Sequence, residues 1–285
     1  MQNLNATVLM SGTSEFALDA QINPYYDSNP VDRGRAALDH DNIAGAFAAA
    51  GITVVRVDPP AGAQDGVYTA NWALASGGRA LLARLPNVRQ REEAYAEQVL
   101  TDLGLEVTHL PAGVERFSGQ GDSLMCGKYL LAGSGYRSDR AAQAFAADFF
   151  SLELVQLHAL PQLDARGMPV INSTSGWADS FFYDIDLAVA VLRDDLIAYC
   201  PDALDEPSRQ AIERLPIDKI TVGLDEAVGG LGCNLVSTGE TVVMSPDAPI
   251  LQEELQQRGF SVLTPQVREL SRGGGFIRCV SLTLE

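Results

Sequence analysis

Positive charge is scarce in this chain of 285 residues, where 20 Lys and Arg side chains stand against 37 Asp and Glu, a formal net charge of −17. Nucleic acids and anionic membranes are recognised by clustered basic side chains. The acidic excess therefore predicts no nucleic-acid or membrane partner, and it favours a small cationic ligand.

Long apolar runs are also missing. No stretch approaches the ~18 consecutive apolar residues that a transmembrane helix needs, and the opening segment "MQNLNATVLMSG" lacks the basic and apolar regions of a signal peptide. We therefore expect a cytoplasmic protein. The 46% of hydrophobic residues suffices for a large buried core.

Cysteine and histidine are few. The four cysteines have no CxxC spacing, which argues against a disulfide framework or a zinc site. The three histidines form no cluster, and no predicted helix opens with the Gly-rich spacing of a nucleotide-binding loop. We expect neither a metal nor a cofactor. The cysteines are Cys126, Cys200, Cys233 and Cys279.

One pattern recurs along the chain. Four pairs of apolar runs are joined by tight turns and predict hairpins, and each is followed by a helical pattern and one short strand. The turns lie at Gly77-Gly78, Gly127-Lys128, Asp194-Asp195 and Gly239-Glu240. The helices are predicted near residues 90–103, 137–150, 205–214 and 248–258, and the strands at "EVTHL", "LELVQL", "KITVGL" and "FSVLT".

The two ends of the chain supply a fifth copy of this pattern. "ATVLMSG", a helix around residues 38–50 and "ITVVRV" come first, and a glycine-led terminal strand in "RGGGFIRCVSLTLE" completes the unit. Five units of ~50 to 60 residues predict one α/β domain over residues 1–285, a closed pseudo-symmetric five-bladed propeller with a central site. Periodicity alone leaves an open doubly wound α/β sheet as the alternative.

Six segments, in order, resemble the guanidine-modifying pentein superfamily, which holds dimethylarginine dimethylaminohydrolases, arginine deiminases, arginine dihydrolases and amidinotransferases. The resemblance covers nearly the whole chain. It implies a five-bladed α/β propeller of ββαβ units, a carboxylate-lined central pocket and a nucleophilic cysteine near the C-terminus. The segments are "VLMSGTSEFALDAQINPYY", "QDGVYTAN", "RFSGQGD", "LLAGSGYRSDRAAQAF", "FFYDIDLAVAVL" and "GGGFIRCVSL".

The resemblance makes Cys279 the nucleophile, because it occupies the cysteine position of the glycine-led C-terminal motif. A guanidinium carbon is stabilised by resonance, so attack on it needs a strong nucleophile, which a thiolate is. Gly273, Gly274 and Gly275 are expected to let the backbone pass close to the substrate. A buried cysteine on the last strand is the structural alternative.

Four further residues are expected to bind substrate by the same resemblance. Asp65 in "QDGVYTAN" matches the acid that pairs with the guanidinium, and Asn71 matches an asparagine of relatives that hydrolyse arginine twice. Arg137 is placed to hold a substrate carboxylate, and Asn23 lies in a loop over the pocket. Each residue type also occurs in turns or first helical turns for purely local reasons.

The chain also departs from the family pattern. Asp184 in "FYDID" stands where the "FYHLD" form carries the acid–base histidine, and Ser118 in "FSGQGD" replaces the glutamate of "FEGAGD". Asp186, the guanidinium-binding aspartate of the motif, and Asp122 are retained. Burial near other carboxylates raises the pKa of a carboxyl group, so Asp184 beside Asp122 and Asp186 is a candidate for the proton transfers.

His158 in "LELVQLHALPQLD" is the other candidate base. It comes just before a stretch, "PQLDARGMPVINSTSGWADS", that resembles an insertion and could form a lid carrying Trp177 or Asp179 over the pocket.

The expected function is a cysteine-dependent hydrolase that acts on a guanidino or related amidine substrate through a covalent thiouronium intermediate. An amidinotransferase, in which an acceptor amine replaces water, is one alternative. A non-catalytic pentein that binds a cationic metabolite or a protein partner is another, and the changes at Asp184 and Ser118 favour it. A homodimer is expected by analogy alone.

Overall fold

One topology repeats around the molecule, whose computed structural model describes residues 4–27, 29–85 and 87–285. Within these residues there are five three-stranded mixed sheets. In each, the middle strand pairs antiparallel with the first strand and parallel with the third. Parallel neighbours need a crossover connection, and a helix supplies it in every blade.

The elements follow in chain order. The strands are β1 (Thr7–Ser11), β2 (Thr53–Val57), β3 (Ala73–Ser76), β4 (Arg79–Leu82), β5 (Glu106–Thr108), β6 (Ser123–Cys126), β7 (Tyr129–Gly133), β8 (Glu153–Leu157), β9 (Val189–Arg193), β10 (Leu196–Tyr199), β11 (Asp218–Thr221), β12 (Val236–Ser237), β13 (Thr241–Val243), β14 (Ser261–Leu263) and β15 (Leu282–Thr283). The α-helices are α1 (Arg33–Ala49), α2 (Glu93–Asp102), α3 (Arg140–Phe150), α4 (Glu206–Glu213), α5 (Leu224–Val228) and α6 (Pro249–Gln257).

The predicted five-bladed arrangement of ββαβ units is confirmed. Four blades are built from consecutive hairpins, and the fifth joins β15 to β1 and β2, so that both ends of the chain share one sheet. Helix α1 begins at Arg33 rather than near residue 38, because the Asp32 side chain accepts a hydrogen bond from the Arg35 backbone N–H and caps it. The short helix α5 was not predicted.

The glycine-led strand is corrected by the structure. Residues 277–280 form a turn, and only Leu282–Thr283 pairs with β1. Cys279 therefore lies in a turn at the entrance to the last strand and not within it. None of the helices in the described part of the chain is both long and apolar enough to cross a membrane.

Helix α3 shows how the outer layer packs onto a blade. Its buried face is made of small side chains, Ala142 and Ala146 among them, which lets the helix approach the sheet closely. They join Leu130 and Phe117 in one apolar cluster. The burial of this apolar surface stabilises the position of each sheet. It thereby also sets the position of the strand ends that point toward the axis of the ring.

Short segments before the first strand of each blade meet near the axis. The 3-10 helices Thr69–Asn71, Gly119–Gly121 and Ile185–Leu187 precede β3, β6 and β9, and they contact one another in sequence order. Asn234 and Cys279 stand in the corresponding segments before β12 and β15. The repeated fold thus brings residues that are far apart in sequence into one place.

Candidate active site

Cys279 lines a narrow cavity near the axis, with about 200 Å³ of space between the surrounding atoms. Its side chain is buried, and its carbonyl oxygen accepts a 3.1 Å hydrogen bond from the Ala70 backbone N–H. The thiol Sγ lies 3.4 Å from Asp186 Oδ2 and 3.1 Å from Asn234 Nδ2. The thiol thus contacts both an acceptor for its proton and an amide donor.

The surroundings of Cys279 favour the protonated thiol. Burial raises the pKa of Cys279 well above its ordinary value, and the nearby carboxylates of Asp186 and Asp184 raise it further. Hydrogen bonds from the Phe276 backbone and the Asn234 side chain act in the opposite direction. A positive charge that entered beside Cys279 would offset the carboxylates and favour the thiolate.

Three buried carboxyl groups stand behind the cavity: Asp122, Asp184 and Asp186. Burial, and then repulsion from Asp184, raises the pKa of Asp122 and of Asp186 well above the ordinary value. Among the described residues, Asp184 Oδ1 and Asp186 Oδ1 have no hydrogen-bond partner. Because a buried acceptor without a donor is costly, these two oxygens suit a ligand that brings N–H groups and positive charge.

Asn71 holds the other oxygen of Asp184. Its Nδ2 lies 2.8 Å from Asp184 Oδ2 and 2.9 Å from Ser118 Oγ. Its Oδ1 accepts a 2.6 Å hydrogen bond from Arg89 Nη1, which fixes the orientation of the amide. Arg137 Nη1 approaches Asp184 Oδ2 at 3.6 Å. The structure thus joins Asp184, Ser118 and Asn71 in one buried network.

Glycines make room for the carboxylates. A Cβ atom at Gly121 would lie 2.4 Å from Asn71 Nδ2 and 2.9 Å from Asp184 Oδ2. A Cβ atom at Gly133 would lie 2.4 Å from Asp122 Oδ1. These are distances that no real side chain tolerates, so the blade of β6, β7 and β8 contributes empty space as well as Asp122 to the site.

Asp65 lies on another wall of the cavity, and both of its oxygens are occupied. Oδ1 accepts a hydrogen bond from the Tyr26 hydroxyl and Oδ2 one of 3.1 Å from Gln64 Nε2. Burial raises the pKa of Asp65, and the positive charge of Arg89 partly offsets that effect. Asp65 therefore lies where the family resemblance places it, held by a tyrosine and a glutamine.

Arg137 also lines the cavity. Its guanidinium carbon lies 4.0 Å from the centre of the Tyr183 ring, and its Nη2 reaches the Ile22 carbonyl oxygen at 3.4 Å. Both of its polar contacts are long, and a guanidinium carries five N–H donors. Arg137 is thus placed on the wall with donors available for an anionic group.

The three consecutive glycines make room for neighbouring side chains. A Cβ atom at Gly273 would lie 2.1 Å from the Tyr68 hydroxyl oxygen, and one at Gly275 would lie 2.4 Å from Tyr68 Cε1. Gly274 has a φ of +85°, and a Cβ atom there would meet Asn23 Oδ1 at 2.7 Å. Gly273 lines the cavity, but the run chiefly makes room for the Tyr68 and Asn23 side chains.

Asn23 fastens a loop over the cavity. Its Nδ2 donates a 3.0 Å hydrogen bond to the Gly273 carbonyl oxygen, and its Oδ1 accepts one of 2.9 Å from the Tyr25 backbone N–H. The loop brings Ile22 and Tyr26 to the lining of the same cavity. Asn23 thus lies over the cavity, as the resemblance implies.

Several residues of the site were not predicted, among them Arg89 and Asn234. Arg89 lies in "NVRQRE", which looks like a solvated charged run, yet it is buried and forms a 2.8 Å ion pair with Glu92. No local signal marks it. Asn234 could have been found from the repeat, since it stands two residues before β12 just as Asn71 stands two residues before β3.

The structure does not bring His158 or the proposed lid to the cavity. His158 Nδ1 lies 2.8 Å from the Ser134 carbonyl oxygen, and the ring is not part of the cavity wall. The Trp177 ring lies under the Arg116 guanidinium at 4.7 Å, and Asp179 is likewise absent from the wall. His158 is therefore disfavoured as the base, and Trp177 and Asp179 as a cover.

Curated relatives of this chain include enzymes of two activities. It is 31% identical over 279 residues to N(G),N(G)-dimethylarginine dimethylaminohydrolase of Mycobacterium tuberculosis, covering 96% of this chain and 84% of that protein. It is 29% identical over 281 residues to the bifunctional arginine dihydrolase/ornithine cyclodeaminase AgrE of a Nostoc species, but spans only 37% of its length. No family model matches the chain.

Solved structures resemble the whole fold. The N-terminal domain of ArgZ, a cyanobacterial arginine dihydrolase, superposes in its product-bound form with a TM-score of 0.87 at 27% identity, over 99% of this chain and 98% of that one. An asparagine-to-serine variant of the same domain, covalently bound to a reaction intermediate, gives a TM-score of 0.86 over 98% of this chain and 97% of that one.

Proposed function

The chain belongs to the guanidine-modifying pentein superfamily, and on that premise we propose that it is a hydrolase that cleaves a carbon–nitrogen bond of a guanidino substrate with Cys279 as nucleophile. One observation carries the proposal. The buried thiol of Cys279 lies 3.4 Å from Asp186 Oδ2 and within electrostatic range of Asp184, and one oxygen of each carboxyl group, Asp184 Oδ1 and Asp186 Oδ1, has no partner in the described residues. A guanidinium supplies the charge and the N–H donors that both oxygens need.

Binding of the cation prepares the nucleophile. Two carboxylates buried without compensation cost several kcal/mol, so a guanidinium that donates to Asp184 Oδ1 and Asp186 Oδ1 is stabilised in the cavity. The same positive charge lowers the pKa of the Cys279 thiol. The thiol proton then passes to Asp186 Oδ2, which lies 3.4 Å from Sγ.

The reaction follows in two displacements. Cys279 Sγ forms a bond to the guanidinium carbon, the bond from that carbon to one nitrogen breaks, and the departing amine takes a proton from the carboxyl cluster through Asp184. This leaves a thiouronium group on Cys279. Water then attacks the same carbon and gives up one proton to Asp184. The carbon–sulfur bond breaks to restore the thiolate, and the second proton of that water passes to solvent as the carbonyl group of the product forms.

The remaining residues hold these groups in place. We assign Asn71 and Ser118 to the orientation of Asp184, which Asn71 contacts at 2.8 Å. Asp122 accepts a 3.0 Å hydrogen bond from the Ile185 backbone N–H, next to Asp184, and it shares the proton of the carboxyl cluster. Asp65 pairs with the substrate cation from the opposite wall.

The substrate carries a carboxylate as well as a guanidino group. Arg137 is buried, lines the cavity and makes only long polar contacts, so a bidentate carboxylate fits its donors. Arginine and its N-methylated derivatives have both groups. Asn23 closes the loop over the bound substrate.

The decisive experiment is acid-quenched mass spectrometry with a panel of guanidino compounds, combined with assays for ammonia, urea and amine release. We expect turnover, a thiouronium mass increase that maps to Cys279, and loss of both in Cys279→Ser. Cys233→Ser, at another buried cysteine, is the matched control and should retain both. Neither adduct nor turnover across the panel would refute the enzyme and leave a binding protein.

The same assays address the family alternative. Product formation that requires an added amine would identify an amidinotransferase in place of a hydrolase. The cytoplasmic location and the homodimer remain predictions, and cell fractionation and light scattering of the purified protein test them.

A further inference from the structure

Asn234 is fully buried and divides its two polar atoms between the backbone and the nucleophile. Its Oδ1 accepts hydrogen bonds from three backbone N–H groups, those of Phe276 at 3.1 Å, Arg278 at 3.0 Å and Cys279 at 3.2 Å. Its Nδ2 lies 3.1 Å from Cys279 Sγ. One side chain therefore contacts both the turn that carries the nucleophile and the nucleophile itself.

The three backbone contacts fix the orientation of the amide. Backbone N–H groups are donors only, so the atom that faces all three must be the oxygen, and the NH₂ group must face sulfur. They also explain why residues 277–280 form a turn. The N–H groups of Phe276, Arg278 and Cys279 converge on one oxygen of Asn234, a geometry that an extended strand cannot provide.

The NH₂ group of Asn234 acts on the charge of Cys279. A thiolate accepts a stronger hydrogen bond from an amide than a thiol does, so the contact favours the ionised nucleophile. Of the other charged groups that face Cys279, Asp184 and Asp186 oppose ionisation. Arg278 favours it through its charge, but directs its donors to Gln120 Oε1 at 2.7 Å and Thr283 Oγ1 at 2.8 Å.

We infer that Asn234 is a positioning residue for the reaction, which aims Cys279 Sγ at the substrate carbon and stabilises the thiolate through Nδ2. The inference rests on the proposed function for the role of Cys279 as nucleophile. By this inference, the fourth blade, formed by β12, β13 and β14, contributes a residue to the active site.

Asn234→Asp separates the two contacts, because it keeps an oxygen for the three N–H groups and replaces the donor that faces sulfur. We expect alkylation of Cys279 by iodoacetamide at pH 7, followed by peptide mass spectrometry, to slow by about tenfold or more, with its pH profile moved to higher pH. The value of kcat for the guanidino substrate should fall by a similar factor, with a smaller change in KM.

Two further variants complete the test. Asn42→Asp adds the same charge at an asparagine whose side chain donates an exposed hydrogen bond to the Gln266 carbonyl oxygen, and it should leave both rates unchanged. Asn234→Ala removes both contacts and should also lower the melting temperature. An Asn234→Asp variant with the wild-type alkylation profile and wild-type kcat would overturn the inference and leave Asn234 as a scaffold residue.

Failure of the proposed function would be distinguishable from failure of this inference. Alkylation by iodoacetamide needs no guanidino substrate, so the comparison of Asn234→Asp with the wild type is decided even if no compound of the panel turns over. An unchanged alkylation profile in a variant of an active enzyme would contradict only the role of Asn234.

Discussion

Asn71 Nδ2 lies 2.8 Å from Asp184 Oδ2 and 2.9 Å from Ser118 Oγ, so one amide connects residues from three blades of the ring. By the motif resemblance, Asp184 and Ser118 are expected to stand in place of a histidine and a glutamate of the family. Their contact through a common partner places both residues in one network.

Replacing the Asp184 carboxylate by an amide should remove the proton transfers. We expect Asp184→Asn to lower kcat by roughly 10²- to 10⁴-fold, the range typical of a lost general acid–base group. The fold should persist, because the substitution relieves repulsion among buried carboxyl groups. Steady-state kinetics and thermal unfolding measure the two effects. Asp225→Asn, at an exposed aspartate, is the control, and wild-type kcat in Asp184→Asn would refute the assignment.

Adding a methyl group at Gly121 should disrupt the same network. The new Cβ atom would overlap Asn71 Nδ2 and Asp184 Oδ2, so Gly121→Ala should lose about 1 to 3 kcal/mol of unfolding free energy and most of kcat. Gly45→Ala is the matched control. Nothing lies within 4 Å of its Cβ position, and alanine within α1 should stabilise by up to about 1 kcal/mol. Urea unfolding of the two variants measures these opposite changes in unfolding free energy.

Arg137 should recognise the carboxylate of the substrate by its planar donors. Arg137→Lys keeps the charge but loses the bidentate geometry, so KM for arginine-like substrates should rise about tenfold or more while KM for a decarboxylated analogue changes little. Arg140→Lys, three residues away and exposed, should change neither. Equal effects on both substrates would show that Arg137 acts only through Asp184.

The buried carboxyl groups should make the protein less stable as pH rises. Burial and Asp184 raise the pKa of Asp186 in the folded state, so between the unfolded value near 4 and the higher folded value the native state binds more protons than the unfolded state. The unfolding free energy therefore falls as pH increases through this window. In Asp186→Asn, the unfolding free energy measured by urea titration should fall less between pH 4 and 8. An unchanged dependence of unfolding free energy on pH would contradict the raised pKa.

His40 should make the unfolding free energy depend on pH with the opposite sign. Burial lowers its pKa to about 4, against an ordinary value near 6.5, so the unfolded state binds the extra proton between these limits. Stability is then complete above about pH 6.5 and is lost as pH falls, by about 3 kcal/mol at most. His40→Gln should remove that loss. Urea titrations would then show a smaller change in unfolding free energy between pH 7 and 4.

The sequence was enough for the five-bladed fold because each unit carries its own local signals. Turn residues such as Gly77-Gly78, alternating apolar runs and helix patterns are all short-range features. They predicted every hairpin and every α-helix of the described ring except α5. The exact start of α1 depended on one cap at Asp32, a detail that helical periodicity does not carry.

The site was harder to predict because its contacts join distant residues. Cys279 was assigned to a strand, since nothing near it in sequence shows that Asn234 collects the N–H groups of its turn. Arg89 reads as a surface charge until Glu92 and Asn71 are seen to enclose it. Motif resemblance supplied the positions of the carboxylates, but only the folded ring shows which of their oxygens are occupied.

The hydrogen bond from Asn23 Nδ2 to the Gly273 carbonyl oxygen joins residues 250 positions apart, and both residues line a cavity that is smaller than the roughly 300 to 1,000 Å³ usual for small-molecule sites. We expect a substrate to enter when this contact opens. Association should therefore be limited by the frequency of opening and not by diffusion. In stopped-flow experiments, the observed binding rate would reach a plateau as substrate concentration increases.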